Sequence, residues 1–464
     1  IQTIHTGFAP RIGFSFSVRP STVVRGGYGM SFFPGNYTSN ADLKNAPFTS
    51  VYTPGCQSTI ALTIEGKVPG GVSAGNNPAC ATIAGTQTVF DAGLPVPAPQ
   101  TATSTGLTFV AEDPKFKPAL IQQFNLQVEQ QFGPNVLTVG YVGNIGQHLP
   151  ETINDINVPT PAEVAANNAA PRPLGQGLPP GQGILPNLGT VTWLESEGIS
   201  NYNGLQTSFQ RRFAAGLAFD ANYTWAHALS DQTGFSEEGQ QGWSDADPTR
   251  IRQIEYGNAE NDIRNRFALS LNYELPGKDF AGAKKMALGG WQTNGIVAWQ
   301  SGKDFSITNS SAGGGYNDRA SLLYNNGPDR PNQVANPLVA GPVSGNTGCN
   351  APSQVKTINA WFNPCAFVPQ PLGTVGTTAR NSLYGPHFRH VDLSLFKDFP
   401  IRESLRLQFR AEAFNISNTP SFYINNNVNS GPDTRLGNGN FGQILATDPN
   451  YVPRELQFAL KLKF

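Results

Sequence analysis

The chain has 464 residues, a formal net charge of -1 and only 14% charged residues, well below the roughly 25% usual for soluble proteins. A near-neutral charge balance lacks the basic footprint of a nucleic-acid binder, so no nucleic-acid partner is expected. No stretch approaches the ~20 consecutive apolar residues of a membrane-spanning helix. A spanning strand, though, shows lipid only every second residue, so the mean hydropathy of -0.29 fits a membrane barrel as well as a soluble β-protein.

Taken in order, the strand signals come in pairs joined by tight turns. RIGFSFSV and TVVRGGYGMSFF flank Arg19-Pro20-Ser21, and IQQFNLQVEQQF and NVLTVGYVGNIG flank Gly133-Pro134. YNGLQTSFQRRF and LAFDANYTWAHAL flank Ala214-Ala215-Gly216. IRNRFALSLNYEL and WQTNGIVAWQ flank a longer turn that begins at Pro276-Gly277. HVDLSLFKDF and SLRLQFRAEAFN flank Pro400-Ile401-Arg402, and PRELQFALKLKF closes the sequence. Pro, Gly and Asn at such junctions are what tight hairpins require.

Within the strands the pattern has period two, the signature of a sheet with one apolar and one polar face. Phe124, Leu126, Val128 and Phe132 oppose Gln123, Asn125, Gln127, Glu129 and Gln131. Leu217, Phe219, Ala221, Tyr223 and Trp225 oppose Asp220, Asn222 and Thr224, and Leu405, Leu407 and Phe409 oppose Arg406, Gln408, Arg410 and Glu412. At the end, Leu456, Phe458, Leu460, Leu462 and Phe464 alternate with Gln457, Ala459, Lys461 and Lys463. These segments exceed the five or six residues common in sandwiches and reach the ~10 that a tilted strand needs to cross a bilayer. Each tight hairpin is followed by a long polar connection, roughly residues 34–118, 148–200, 231–262, 301–387 and 417–453. Short turns on one side and long loops on the other are the asymmetry of an outer-membrane barrel.

The fold expected is therefore all-β, an antiparallel transmembrane β-barrel in the outer membrane. It should have about eleven or twelve long strands, short periplasmic turns and long extracellular loops. Bacterial single-chain barrels use even strand numbers. If the tight turns are periplasmic, the strand near residues 9–19 descends from outside and needs an ascending strand before Ile1. Residues 1–464 are then the C-terminal portion of a barrel. The four cysteines, Cys56 and Cys80 in one Gly/Pro/Asn-rich stretch and Cys349 and Cys365 in another, are candidate loop disulfides, with free thiols as the alternative.

The pieces FAPRIGFSF…VVRGGYGMSF, QQFNLQVEQQFG, YVGNIGQHLP, SNYNGLQTSFQRRFAAGLAFDANYTWAHAL, NDIRNRFALSLNYELP and WFNPCAFVPQPLGTVGTTARNSLYGPHFRHVDLSLFKDFPIRESLRLQFRAEAFNISNTPSF follow one another across nearly the whole chain. In that order they resemble successive blocks of Oar-like TonB-dependent transporters. The resemblance implies a barrel closed by an N-terminal plug and energised uptake driven through TonB. The plug, the TonB-contacting segment and the further N-terminal domain of such proteins match nothing in residues 1–464. It also implies that Leu456, Phe458, Leu460, Leu462 and Phe464 form the C-terminal signal read by the barrel assembly machinery.

Little points to chemistry. His5, His148, His227, His387 and His390 lie in different segments, and lumen or rim positions account for them better than metal ligation. Glu237, Glu238, Asp245 and Asp247 cluster around Trp243 in a long loop, where solvation is the plain reading and contact with a cation or sugar the sharper one. The Gly70-Gly71 and Gly313-Gly314-Gly315 runs lack a following helix or a Lys-Ser/Thr and read as loop punctuation. Tyr223, Trp225, Trp291, Trp299 and Phe464 suit interfacial girdles. Arg212, Arg266, Glu274, Arg406, Arg410 and Glu412 would line the lumen, where cross-strand charge pairing or contact with a plug would occupy them. No catalytic, cofactor-binding or metal-ligating residue is assigned. The expectation is a non-enzymatic outer-membrane transporter barrel whose partners are lipid, TonB, the assembly machinery and an unidentified extracellular substrate. A passive pore or adhesin, and a secreted soluble carbohydrate-binding β-protein, are the alternatives.

Overall fold

The computed structural model describes residues 7–33, 107–153, 155–167, 173–174, 188–231, 251–260, 262–277, 279–309, 330–371, 373–402, 405–422 and 431–464. Cys56, Cys80, the acidic cluster around Trp243 and both Gly runs fall outside them.

Among the described residues eleven strands form the main path of one sheet, in chain order, with two shorter strands, Leu107–Glu112 and Gly257–Asn258, paired off it: β1 (Arg11–Arg19), β2 (Thr22–Phe33), β3 (Ala119–Phe132), β4 (Asn135–Ile153), β5 (Leu188–Ala214), β6 (Leu217–Ser230), β7 (Asn265–Glu274), β8 (Trp291–Gln300), β9 (Phe388–Arg402), β10 (Leu405–Phe414) and β11 (Glu455–Lys463). Every neighbouring pair is antiparallel, so the sheet is a meander. Among the described residues no ladder joins β1 to β11, and each presents one unpaired edge.

The short turns have the chemistry that a right-twisted hairpin demands. Gly133 at φ 58° precedes Pro134 between β3 and β4, and Ala215 and Gly216 at φ 53° and 82° link β5 to β6. Positive φ at the first or at both central residues keeps the turn's twist aligned with that of the strands. Across the β3–β4 pair, Phe124 lies opposite Gly143, and its ring covers the glycine so closely that a Cβ there would sit 2.2 Å from Cε2. An aromatic laid over a glycine of the next strand pins register. Gly143→Ala should therefore cost ~1–3 kcal/mol by displacing the ring. Urea unfolding of the protein in lipid vesicles would read this, and Phe124→Ala in the same background should relieve it. An unchanged midpoint for Gly143→Ala would refute the contact.

Apolar side chains of the wall point away from any core. Leu456, Phe458 and Leu460 are 63%, 68% and 69% exposed, while Phe362, in the long connection before β9, is fully buried. The core lies at the long-connection end of the sheet. There Phe305, Ile307, Phe362, Ala366, Phe367 and Leu383 form a cluster, with Trp361, Leu436 and Phe441 packed against it. No helix among the described residues is long and apolar enough to cross a membrane, which is silent about crossing by strands.

The described parts of the long connections carry more strand than the sequence suggests. The expected loop 148–200 is strand at both ends, because β4 runs on to Ile153 and β5 begins at Leu188. His148, at φ 54°, sits in a break of register between Gly146 and Leu149, a bulge that re-aims β4 above the regular wall. Two further ladders are parallel: a strand at Leu107–Glu112 runs along the start of β5, and Thr308–Asn309 pairs with Arg435–Leu436.

Candidate functional site

Segments 301–309, 330–387 and 431–446 build one small folded unit, termed the cap, at the long-connection end. Its ladders pair Asp304–Phe305 with Leu383–Tyr384, Asn332–Gln333 with Phe367–Val368, and Thr308–Asn309 with Arg435–Leu436. Phe362 stands at its centre, edge-on to Phe367 at 5.8 Å and to Phe441 at 5.1 Å. Beside it the buried Asn363 donates to the Val339 and Gly341 carbonyls at 2.9 Å each and accepts from the Cys365 amide at 3.1 Å. Cys349 and Cys365 are joined by a disulfide, with Cα atoms 5.5 Å apart.

Polar bonds fasten the cap to the strand tips. Arg330 makes a two-pronged ion pair with Glu255 at 2.9 and 3.1 Å and also donates to the Ile254 carbonyl at 2.8 Å. Tyr384 donates to Asp262 at 2.9 Å and accepts from Arg264 at 2.8 Å, and burial pushes its phenol up. Asn258 and Asn381 exchange side-chain to carbonyl bonds at 2.7 and 3.0 Å. The buried Arg380 donates to the Ser230 carbonyl and, at 3.3 Å, to that of Asn258. Asp155 accepts from the Val191 amide at 3.0 Å, and Asn157 donates to the Gly189 carbonyl at 2.8 Å, pinning the chain where it returns to β5.

Acidic groups crowd this junction. Glu151 lies beyond the ~10 residues that carry β4 across a bilayer from the turn at Pro134. It is 6% exposed, and one carboxylate oxygen has no hydrogen-bond partner among the described residues. Burial above all, then the Asp231, Glu195 and Glu255 carboxylates, push its pKa from 4.5 up to about 8. Burial also raises Asp231 and Glu195. Arg252 lies 3.6 Å from Asp231. In the histidine positions, His227 meets Asn258 at 3.1 Å and Arg264 at 2.7 Å, while His390 pairs with Asp392 at 2.7 Å. Among the described residues no three His, Cys, Asp or Glu side chains converge as a metal site.

The raised Glu151 gives a pH dependence with a definite sign. Below about 4.5 the carboxyl is protonated folded or unfolded, and its contribution to stability is complete. Between there and about 8 only the unfolded chain ionises, so stability falls with rising pH; above about 8 it is lost. Protease resistance of the cap should therefore weaken from pH 5 to pH 9, and Glu151→Gln should flatten that slope. The same slope in the Gln variant would assign it elsewhere.

The wall below carries the other half of the site. Its inner face holds the ion pairs Arg25–Glu129 at 3.3 Å and Lys463–Asp398 at 3.4 Å. Arg410 bonds Gln408 at 2.7 Å and lies over the Phe396 ring. Gln210, Arg212, Asp220, Asn272 and Asn294 line a concavity of about 520 Å³ on the same face. The outer face is the apolar band, with Trp225 41% and Phe464 95% exposed.

The profile of the outer membrane β-barrel domain matches residues 1–457. This chain belongs to that family. Comparison with curated protein sequences returns no significant match. Solved structures with distant likeness include the outer-membrane transporter YddB of Escherichia coli, at 9% identity and TM-score 0.41, covering 98% of this chain and 40% of that one. They also include a mutant ferric enterobactin receptor (PfeA) of Pseudomonas aeruginosa, at 10% identity and TM-score 0.40, with 98% and 40% covered. The pyoverdine receptor FpvA of the same species aligns at 10% identity and TM-score 0.37, with 98% and 36% covered. The chain spans less than half the length of each of these structures.

Family membership orients the molecule. The protein resides in the outer membrane, its long connections and cap are extracellular, its short turns are periplasmic, and the apolar face of the wall meets lipid. It also sets aside the secreted soluble alternative, because a band of leucine and phenylalanine at 49–69% exposure on β11 needs lipid to cover it. Sequence reasoning found the wall and missed the cap's fastenings. Arg330, Arg380, Glu255, Asp262 and Tyr384 carry no periodic signal, and Arg330 reaches Glu255 across 75 positions.

Proposed function

We propose that this chain is the C-terminal portion of the barrel of a TonB-dependent outer-membrane transporter, with no catalytic step of its own. The observation that carries the reading is the path of eleven antiparallel strands, β1 to β11, that the described residues of this member of a membrane-barrel family form. In hydrocarbon each unsatisfied backbone group costs several kcal/mol, so a membrane sheet must close on itself. On this reading further strands bridge β1 and β11. Plugged transporters have ~22 strands, about twice the number in this sheet. The ordered sequence blocks that resemble Oar-like transporters support this reading over a passive pore or an adhesin. The plug and the TonB-contacting segment would precede this portion. Its cap and the polar inner face would present an extracellular substrate to the plug, and β11 would be handled by the barrel assembly machinery.

The test uses the protein encoded by the complete reading frame. In planar bilayers it should stay electrically silent until urea unfolds the plug, and uptake in cells should stop when TonB is deleted while surface binding persists. Steady conductance from untreated protein would establish a passive pore instead.

A further inference from the structure

One polar residue breaks the lipid-facing series of β9. Leu393, Leu395, Lys397 and Phe399 alternate on one face, and Lys397 stands directly opposite Trp291 of β8 and Phe409 of β10. Phe409 stacks on Phe458 at 6.5 Å and meets Trp291 edge-on at 6.3 Å, and Phe458 is 68% exposed. Lys397 is therefore on the lipid side, yet it is 2% exposed. What covers it is the connection between β7 and β8, which carries a helix, α1 (Gly282–Leu288). Lys397 donates to the Ala287 and Gly289 carbonyls at 2.9 and 2.8 Å, and its ammonium lies 5.0 Å from the Trp291 ring centre and 5.1 Å from that of Phe399. Trp291 donates to the same Ala287 carbonyl at 3.0 Å. A cation at a helix C-terminus flanked by aromatic faces is favourable. The bonds tie α1 to the outside of the wall at its periplasmic rim.

None of α1 is buried against protein. Met286 is 72% and Leu288 54% exposed, beside the exposed Lys284 and Lys285, and Lys284 lies 4.6 Å from the Phe280 ring centre. Apolar tips next to paired ammonium groups are the composition of a segment lying in a lipid headgroup layer. We propose that α1 is an interfacial foot that rests in the periplasmic leaflet of the outer membrane, with Met286 in the upper acyl region and Lys284 and Lys285 on phospholipid phosphates. Two features select lipid as the occupant: α1 is continuous with the lipid-facing band through Trp291, Phe409 and Phe458, and its cationic side chains complement phosphate. Lys397 holds the foot against the wall. The inference rests on the membrane location and stands whether or not the barrel is energised.

The experiment places a bimane label at Met286→Cys in the full-length protein, reconstituted in vesicles of phosphatidylethanolamine and phosphatidylglycerol, with the unsubstituted protein as the labelling control. Nitroxides near the top of the acyl chains should quench the label, and aqueous iodide should quench it roughly threefold less than a label at Ser21→Cys in the β1–β2 turn. Lys397→Met should reverse that preference by freeing α1. Should that variant fail to fold, Lys284→Glu with Lys285→Glu, which leaves the wall intact, should weaken lipid quenching in the anionic vesicles. A label open to iodide and insensitive to lipid nitroxides would overturn the proposal. So would one shielded from both, since α1 would then lie against protein.

Discussion

Replacing Arg330 by Met should release the extracellular cap while leaving the membrane wall intact. The Arg330 and Glu255 side chains are 6% and 1% exposed, and the guanidinium satisfies both carboxylate oxygens together with the Ile254 carbonyl. Removing one member leaves the other charged, buried and unpaired, which costs about 3–5 kcal/mol. The site worsens that penalty, because Glu255 already shares its surroundings with Glu151 and Asp231. The loss should stay local, since Arg330 belongs to the cap and Glu255 to the helical turn Ile251–Glu255 that precedes β7. Limited proteolysis of reconstituted protein should then show the segment after residue 330 cut roughly a hundredfold faster or more, with unchanged heat-modifiability of the barrel on gels. Replacing both partners with leucine should recover most of the resistance, because an apolar pair of similar volume removes the desolvation cost. Single variants as resistant as the parent would mean that the aromatic cluster around Phe362, and not the ion pair, fastens the cap.

The wall was legible because the bilayer writes a rule into each strand. Leu217, Phe219, Ala221, Tyr223 and Trp225 alternate with polar residues over a length set by membrane thickness, and the structure places them in β6. The terminal series from Leu456 to Phe464 read equally well. Above the membrane the rule lapses. The stretch Leu188–Ile199 carries Trp193, Glu195 and Glu197 in no clear period, since its faces meet other protein segments, and sequence alone placed it in a loop although it is strand. The cap was hidden for a related reason. Phe305, Phe362, Phe367 and Phe441 come together from connections separated by β9, β10 and many turns, and no local pattern records that convergence. Lys397 was the one local irregularity within the legible part. A lysine between Leu395 and Phe399 on a lipid-facing series asks for a cover, but the identity of that cover, α1, appears only when the β7–β8 connection is folded back onto the wall.

Deleting Phe464 should block assembly in cells without weakening the folded barrel. The side chain is 95% exposed, so its removal takes away almost no intramolecular packing. Purified protein lacking Phe464 should therefore refold into lipid vesicles with the parent's urea midpoint. Recognition in the cell is a different matter. If the assembly machinery buries the terminal ring as the end of the Leu456–Phe464 series, losing one Phe forfeits about 1.5–3 kcal/mol, or roughly ten- to hundredfold in occupancy of the machinery. Surface exposure of the protein, scored by protease access in intact cells, should fall accordingly, and a Phe464→Tyr variant should retain most of it because the ring persists. Two results would separate this role from that of a lipid anchor. Equal losses in cells and in vesicles would place Phe464 in the stability of the barrel, and normal surface levels without it would remove the C-terminal strand's aromatic end from the recognition signal altogether. The ring's near-complete exposure makes the test clean, since what Phe464 contributes must come from a contact outside this fold.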